Sequence, residues 1–216
     1  MPSRAAHLAS IAIVAGVFLL VTGASGAGKS TVRGRIASEL SPVVEAVELG
    51  HIVDVPASPT VAWRQCASEA VVRRALELQH DGRHLLLAGD PVAAAEIAAA
   101  PSAIGLDGLA VCLLDLSPQA QATRLIGRGD DPGLLSQHQA FAEWMRRHAQ
   151  DPLHMTHVLS TRGWDEMRWD RLAGLASRWR TVRVDTTAMT REAVAEAVLQ
   201  WCHRALAGQA PIIRLA

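Results

Sequence analysis

The sequence predicts an α/β fold: a five-stranded, mainly parallel sheet with helices on both faces and a helical lid insertion near its end. Three observations lead there. Short, almost wholly apolar runs recur along the 216 residues, the pattern of strands buried on both faces. Amphipathic stretches of helical length separate them, so strand and helix alternate nearly throughout. Glycine, aspartate or serine punctuates the ends of these runs, and no internal repeat or low-complexity linker interrupts the series.

The elements follow in order. Val17–Thr22 reads as a buried strand, and "KSTVRGRIASEL" as a helix stopped at Ser41-Pro42. Val43–Leu49 is the second strand. "PTVAWRQCASEAVVRRALELQHDG" is a long helix with Ala67, Ala70, Val71, Ala75 and Leu78 near one face, ended by Asp81-Gly82. "RHLLLAGD" is the third strand, after which Pro91 opens an alanine-rich helix. Leu109–Leu114 is the fourth strand. Ser117 caps the next helix, with Pro118 in its first turn. "GDDPG" is turn chemistry, and residues 134–180 read as helical pieces broken at Asp151-Pro152 and Arg162-Gly163. "TVRVD" is the fifth strand, and a final amphipathic helix ends at Gly208. One main domain therefore spans 17–208, with an acceptor-side helical region at about 51–80 and the insertion at about 124–180. Residues 1–16 form an N-terminal extension that need not be ordered, and 209–216 a C-terminal tail.

Half the residues are hydrophobic and the formal net charge is zero. A large core is available, and the neutral balance counts against nucleic acid or an acidic membrane surface as partner. Cys66, Cys112 and Cys202 are odd in number and far apart, which reads as reduced, mostly buried thiols of a cytoplasmic protein. His154 and His157 stand three apart without further ligands, a poor basis for a metal site. "MPSRAAHLAS" followed by "IAIVAGVFLLV" has the outline of a secretory signal, but the apolar run is too short to span a bilayer. Cleavage among the small residues beyond it would destroy the next motif, so the run reads as leading into the first strand.

That motif is Gly23-Ala24-Ser25-Gly26-Ala27-Gly28-Lys29-Ser30, followed by Thr31, and it matches G-x-x-x-x-G-K-[ST] between a strand and a helix. The glycines let the loop curl so that backbone amides point at phosphate oxygens, and the helix adds its positive end. Lys29 is the only lysine in a chain that otherwise uses arginine. A compact ammonium fits a tight loop where a planar guanidinium does not. Lys29 reaches the β- and γ-phosphates of ATP, Ser30 ligates Mg²⁺, and Thr31 supports the loop or meets the α-phosphate.

Asp90, at the carboxyl end of the third strand, reads as an Mg²⁺ ligand or as the group that orients the nucleophile; capping the helix after Pro91 is the rival reading. Asp54, after the second strand in "ELGHIVDVP", is a candidate to take the acceptor's proton, with Asp90 the alternative. His51, Trp63 and Arg64 are candidates to bind the acceptor, although Arg64 suits a surface role with its stem on Trp63 equally well. Arg124 and Arg128 lie four apart at a helix end, placed to close over a triphosphate or simply to form a solvated face. Trp144, Trp164, Trp169 and Trp179 crowd the insertion and read mainly as its packing.

"GASGAGKST", "LLLAGD", "RLIGR" and "VDTTAMTREAVAEAV" together make the chain resemble the small P-loop kinases: gluconate, shikimate, adenylylsulfate and nucleotide kinases and chloramphenicol phosphotransferase. The resemblance implies a P-loop NTPase fold, ATP and Mg²⁺ as cofactors, a mobile lid around the arginines, and Asp185 and Thr186 near the adenine. It implies a small-molecule acceptor with a hydroxyl group. After the second strand "GHIVD" stands where named members carry D-x-D or D-G-D, so the likeness identifies no acceptor. Besides a small-molecule kinase, the readings weighed are a nucleoside or nucleotide kinase, an ATP-binding regulator, a nucleic-acid end kinase and a GTPase switch. The last needs an N-K-x-D base selector, and the chain has no asparagine.

Overall fold

The computed structural model describes residues 16–216, so the signal-like start and most of the expected N-terminal extension lie outside the described residues. Five strands, β1 Val17–Thr22, β2 Val44–Val47, β3 His84–Ala88, β4 Gly108–Asp115 and β5 Val182–Asp185, form one sheet in the order β2-β3-β1-β4-β5. Every pairing is parallel. The three central strands β1, β3 and β4 are buried at every position, which is why they read as unbroken apolar runs. At the edge, β5 alternates: Val182 and Val184 face inward, Arg183 and Asp185 outward.

Strand periodicity splits the core into two halves. Phe18 and Leu20 of β1, Leu85 and Leu87 of β3, and Leu109, Val111 and Leu113 of β4 enter one cluster. Helices α2 Val61–His80 and α3 Ala94–Ala99 cover it, with Trp144, Leu172, Leu175 and Trp179 from the insertion. Val17, Leu19 and Val21, with Leu86, Ala110, Cys112 and Leu114, enter the other, beneath α1 Lys29–Leu40 and the C-terminal helix Arg191–Leu206. Helix α1 contributes Val32, Ile36 and Leu40, four apart on one stripe.

Between β4 and β5 run α4 Pro118–Arg128, α5 Leu135–Gln150, α6 His157–Ser160 and α7 Arg171–Leu175, making the C-terminal helix α8. Residues 135–150 are one continuous helix, and the breaks expected at Asp151-Pro152 and Arg162-Gly163 are present. Trp144 and Trp179 are buried in the core, and Trp169 packs against it.

Three details differ from the sequence reading. The helix expected at Pro91 begins only at Ala94, with Ala93 at its N-cap, because Pro91 and Val92 continue the loop; Thr22 Oγ1 donates to the Val92 carbonyl at 2.5 Å. The second strand stops at Val47 and passes into a 3-10 turn, Leu49–His51. The end of the chain is no loose tail: Ile213 exchanges hydrogen bonds of 2.8 and 3.0 Å with Leu109, and Ile213 and Leu215 are buried. This segment occupies the flank of β4 that β5 leaves open, since β5 pairs only from Cys112 onward. Cys112 and Cys202 are buried as expected, while Cys66 is exposed.

Candidate active site

The carboxyl ends of β1 and β3 bring the phosphate-loop motif and Asp90 to one edge of the sheet. Gly23 leaves β1 at φ 149°, and a Cβ there would overlap the Leu114 carbonyl oxygen of β4, so the loop cannot begin with any other residue at this spacing. Helix α1 then starts at Lys29 with no side-chain cap and no acidic residue in its first turn. Its leading amides have no intrahelical acceptors, and the positive end of the helix is uncompensated. Helix ends of this kind can take an anion.

The Lys29 side chain folds back over the loop. Its Nζ donates to the Ala24 carbonyl at 3.0 Å, and the Ala27 amide reaches the same oxygen at 3.2 Å. Burial lowers the Lys29 pKa to about 8; the nearby Asp90 carboxylate raises it and Arg128 lowers it further. These opposing charges mean that Lys29, Asp90 and Arg128 share one neighbourhood. Ser30 and Thr31 are exposed at the start of the helix.

Asp90 caps no helix. Its Oδ2 accepts the Leu49 amide at 2.7 Å, tying β3 to the turn after β2. Burial raises its pKa above the usual carboxylate value; the Leu49 hydrogen bond opposes this, Glu48 reinforces it, and Lys29 and Arg33 oppose it. Glu48 lies alongside, held by Arg33 Nε at 3.1 Å. Gly89 lies flat beneath it at φ 133°, where a Cβ would collide with the Glu48 side chain. The exposed Ser30 hydroxyl and Asp90 Oδ1, which takes no hydrogen bond among the described residues, are hard oxygen donors suited to Mg²⁺.

The acceptor-side candidates are dispersed around this centre. Asp54 is exposed and its side chain makes no hydrogen bond among the described residues. His51 Nδ1 is engaged, accepting the Glu48 amide at 3.2 Å. Trp63 packs partly against the core. Arg64 is half-buried, and its Nε donates at 2.7 Å to Glu96, a carboxylate 1 % exposed. Burial raises the pKa of Glu96 and the Arg64 charge opposes it.

The two arginines of α4 part company. Arg124 is committed to oxygen atoms of the protein, donating to the Gly26 carbonyl at 3.2 Å, Thr186 Oγ1 at 3.0 Å and the Thr186 carbonyl at 2.6 Å. Arg128 is exposed and pairs with Asp130, its Nε 2.8 Å from Oδ1. Thr186 is buried against β4, its amide donating to the Asp115 carbonyl at 2.7 Å. Asp185 is exposed and accepts the Thr187 amide at 2.9 Å.

Sequence reasoning passed over Gln121, Arg33, Glu96 and the buried Asp115, which lies between Arg146 at 3.0 Å and Arg183 at 2.7 Å. Gln121 had a signal in its spacing, one helical turn before Arg124. Glu96 had one in being the sole charge in "VAAAEIAAA". Among the described residues, no helix is long and apolar enough to cross a membrane.

Comparison with solved structures gives the fold its relatives. A gluconokinase from Sinorhizobium meliloti 1021 superposes with a TM-score of 0.53 at 21% identity, covering 90% of this chain and 98% of its own. A thymidylate kinase from Candida albicans superposes at 0.50 and 16% identity, covering 89% and 93%. No protein-family profile and no curated protein matches the sequence. The fold is that of the P-loop kinases.

Proposed function

We propose that the protein is an ATP-dependent phosphotransferase that moves the γ-phosphate of ATP to a hydroxyl group of a small molecule. The observation that carries this reading is the meeting of an uncapped helix end, a buried lysine and a partly buried carboxylate at one edge of the sheet. The loop amides and Lys29 bind the phosphates, and Lys29 exchanges its bond to Ala24 for phosphate oxygens. Ser30 and Asp90 would hold Mg²⁺, which would supply neutralisation of phosphate charge. Arg128 closes from the insertion, and Arg124 holds the loop against the turn at Thr186. Asp185 and Thr186 border the nucleoside.

Of the two candidate bases, Asp90 has the field that reaches Lys29, and hence the phosphate that Lys29 would hold; it serves as base only in place of binding Mg²⁺, and otherwise Asp54 takes that role. Asp54, exposed on the acceptor side, orients substrate together with His51, Trp63 and Arg64. Positioning and charge stabilisation supply most of the acceleration in such a site. The printed names of the structural relatives, a gluconokinase and a thymidylate kinase, extend the acceptor test from sugar acids to nucleotides.

The test is transfer of labelled γ-phosphate from MgATP to a panel of hydroxy acids, sugars, nucleosides, nucleotides and hydroxylated antibiotics. The wild-type protein labels one class, and folded Lys29→Ala labels none. Undiminished transfer by Lys29→Ala would overturn the reading.

A further inference from the structure

Gln121 is 1 % exposed on α4, yet nothing in the phosphate-loop motif calls for it. Its Nε2 donates twice, to the Ser25 carbonyl of the loop at 3.0 Å and to the His138 carbonyl of α5 at 3.3 Å. Arg124 and Leu125 lie three and four residues on, so they share its helix face. Arg124 holds the next loop carbonyl, that of Gly26. Helix α4 thus grips two successive peptide planes of the loop from behind.

The consequence lies in peptide geometry. In a planar trans peptide the C=O and the following N–H point in opposite directions. Holding the Ser25 oxygen against α4 therefore turns the Gly26 N–H away from α4, and no acceptor among the described residues takes it. Without the Gln121 bond this peptide, next to a glycine at φ 84°, has little to stop it rotating. A buried amide side chain also has a desolvation cost that only well-placed acceptors offset.

We propose that Gln121 is a positioning residue: it aims the Gly26 amide at a bound phosphate and, through His138, makes that aim depend on where α5 sits. This rests on the reading of the loop as a polyphosphate site. Reorientation of the insertion then alters phosphate grip without any α5 side chain touching the nucleotide.

The test uses full-length protein and three probes: MgATP, magnesium tripolyphosphate and adenosine. Gln121→Met keeps the apolar bulk and removes both donors. Its affinity for MgATP and tripolyphosphate is expected to fall about tenfold, one hydrogen bond's worth, while adenosine binds as before. Gln121→Glu, which turns a carboxylate toward two carbonyl oxygens, should lose more. In the wild type, tripolyphosphate should shift the Gly26 amide resonance and slow its hydrogen exchange together with that of α5. That measurement stands even if neither variant folds. Unchanged MgATP affinity in folded Gln121→Met, equal losses for ATP and adenosine, or a Gly26 amide indifferent to tripolyphosphate would each overturn the inference. A wild-type protein that binds no MgATP at all would instead remove the polyphosphate reading beneath it.

Discussion

Helices α1 and α8 lie side by side beneath the same face of the sheet, and each follows a strand that ends at the same edge. Their first turns differ completely. Thr190 caps α8, its hydroxyl accepting the Ala193 amide at 3.2 Å, and Glu192 sits in the first turn against the helix dipole. Helix α1 has neither device. Helices α2 and α4 are also capped, by Thr60 and Ser117. So α8 satisfies its own end, whereas the first turn of α1, like that of α5, has no side-chain cap and no acidic residue. What sets α1 apart from α5 is the glycine-rich turn before it and Lys29 at its start, and under the proposed function the contrast with α8 separates a helix end serving stability from one serving binding.

Substitutions at the α1 end should strike activity, and those at the α8 end stability. The largest effect is expected from Lys29→Ala, which should cost phosphoryl transfer on the order of a thousandfold, with the melting curve nearly unmoved. Steady-state kinetics beside thermal unfolding measures both. Asp90→Asn comes next, lowering kcat by about 10²–10⁴ if it is the base, whereas exposed Asp54→Asn should change stability by no more than ~0.5 kcal/mol and act mainly on acceptor KM. A larger kcat loss in Asp54→Asn would reverse the two assignments.

The pH profile sharpens the contrast. Lys29 titrates at about 8 in the free protein, so MgATP affinity should begin to fall as pH rises through 8, approaching about tenfold per unit while the bound lysine stays charged. On the acid side, kcat/KM should fall as Asp90 of the free protein takes up its proton, at a pH above that of an ordinary aspartate. Calorimetry and rate profiles from pH 5 to about 10 cover both limbs. Arg128→Ala, which removes a positive neighbour of Lys29, should move the alkaline limb upward.

The smallest effects reverse the roles of the two helices. Thr190→Ala should cost about 1 kcal/mol of stability and leave MgATP affinity unchanged. Thr31→Glu gives α1 the acidic first turn it lacks, and should stabilise the free protein by about 0.3–1 kcal/mol while weakening MgATP binding. Chemical denaturation paired with titration calorimetry measures each. A Thr31→Glu protein that binds nucleotide as well as the wild type would break the comparison.

The same contrast explains what was legible in the sequence. The strands were, because central parallel strands must be apolar on both faces, as in Leu85–Leu87. The loop was, because its glycines and lysine answer local demands of backbone and charge. Features set by distant partners were not. The spacing in "SPQAQATR" puts Gln121 one turn before Arg124, but nothing local points to Ser25, 96 positions away. The burial of Glu96 depends on Arg64, and that of Ile213 on an unfilled flank of β4. Pro91 made a helix cap the rival reading of Asp90, yet the helix starts later and the carboxylate turns to Leu49. Arg124 and Arg128 share a helix spacing, but the first bonds a loop carbonyl and the second pairs with Asp130.

Titration calorimetry of the folded protein with MgATP, run beside Lys29→Ala, tests the central claim most directly. The account predicts a single site, weakened at least tenfold when the ammonium is removed. A flat titration with the wild type, or equal affinity in the two proteins, would contradict it.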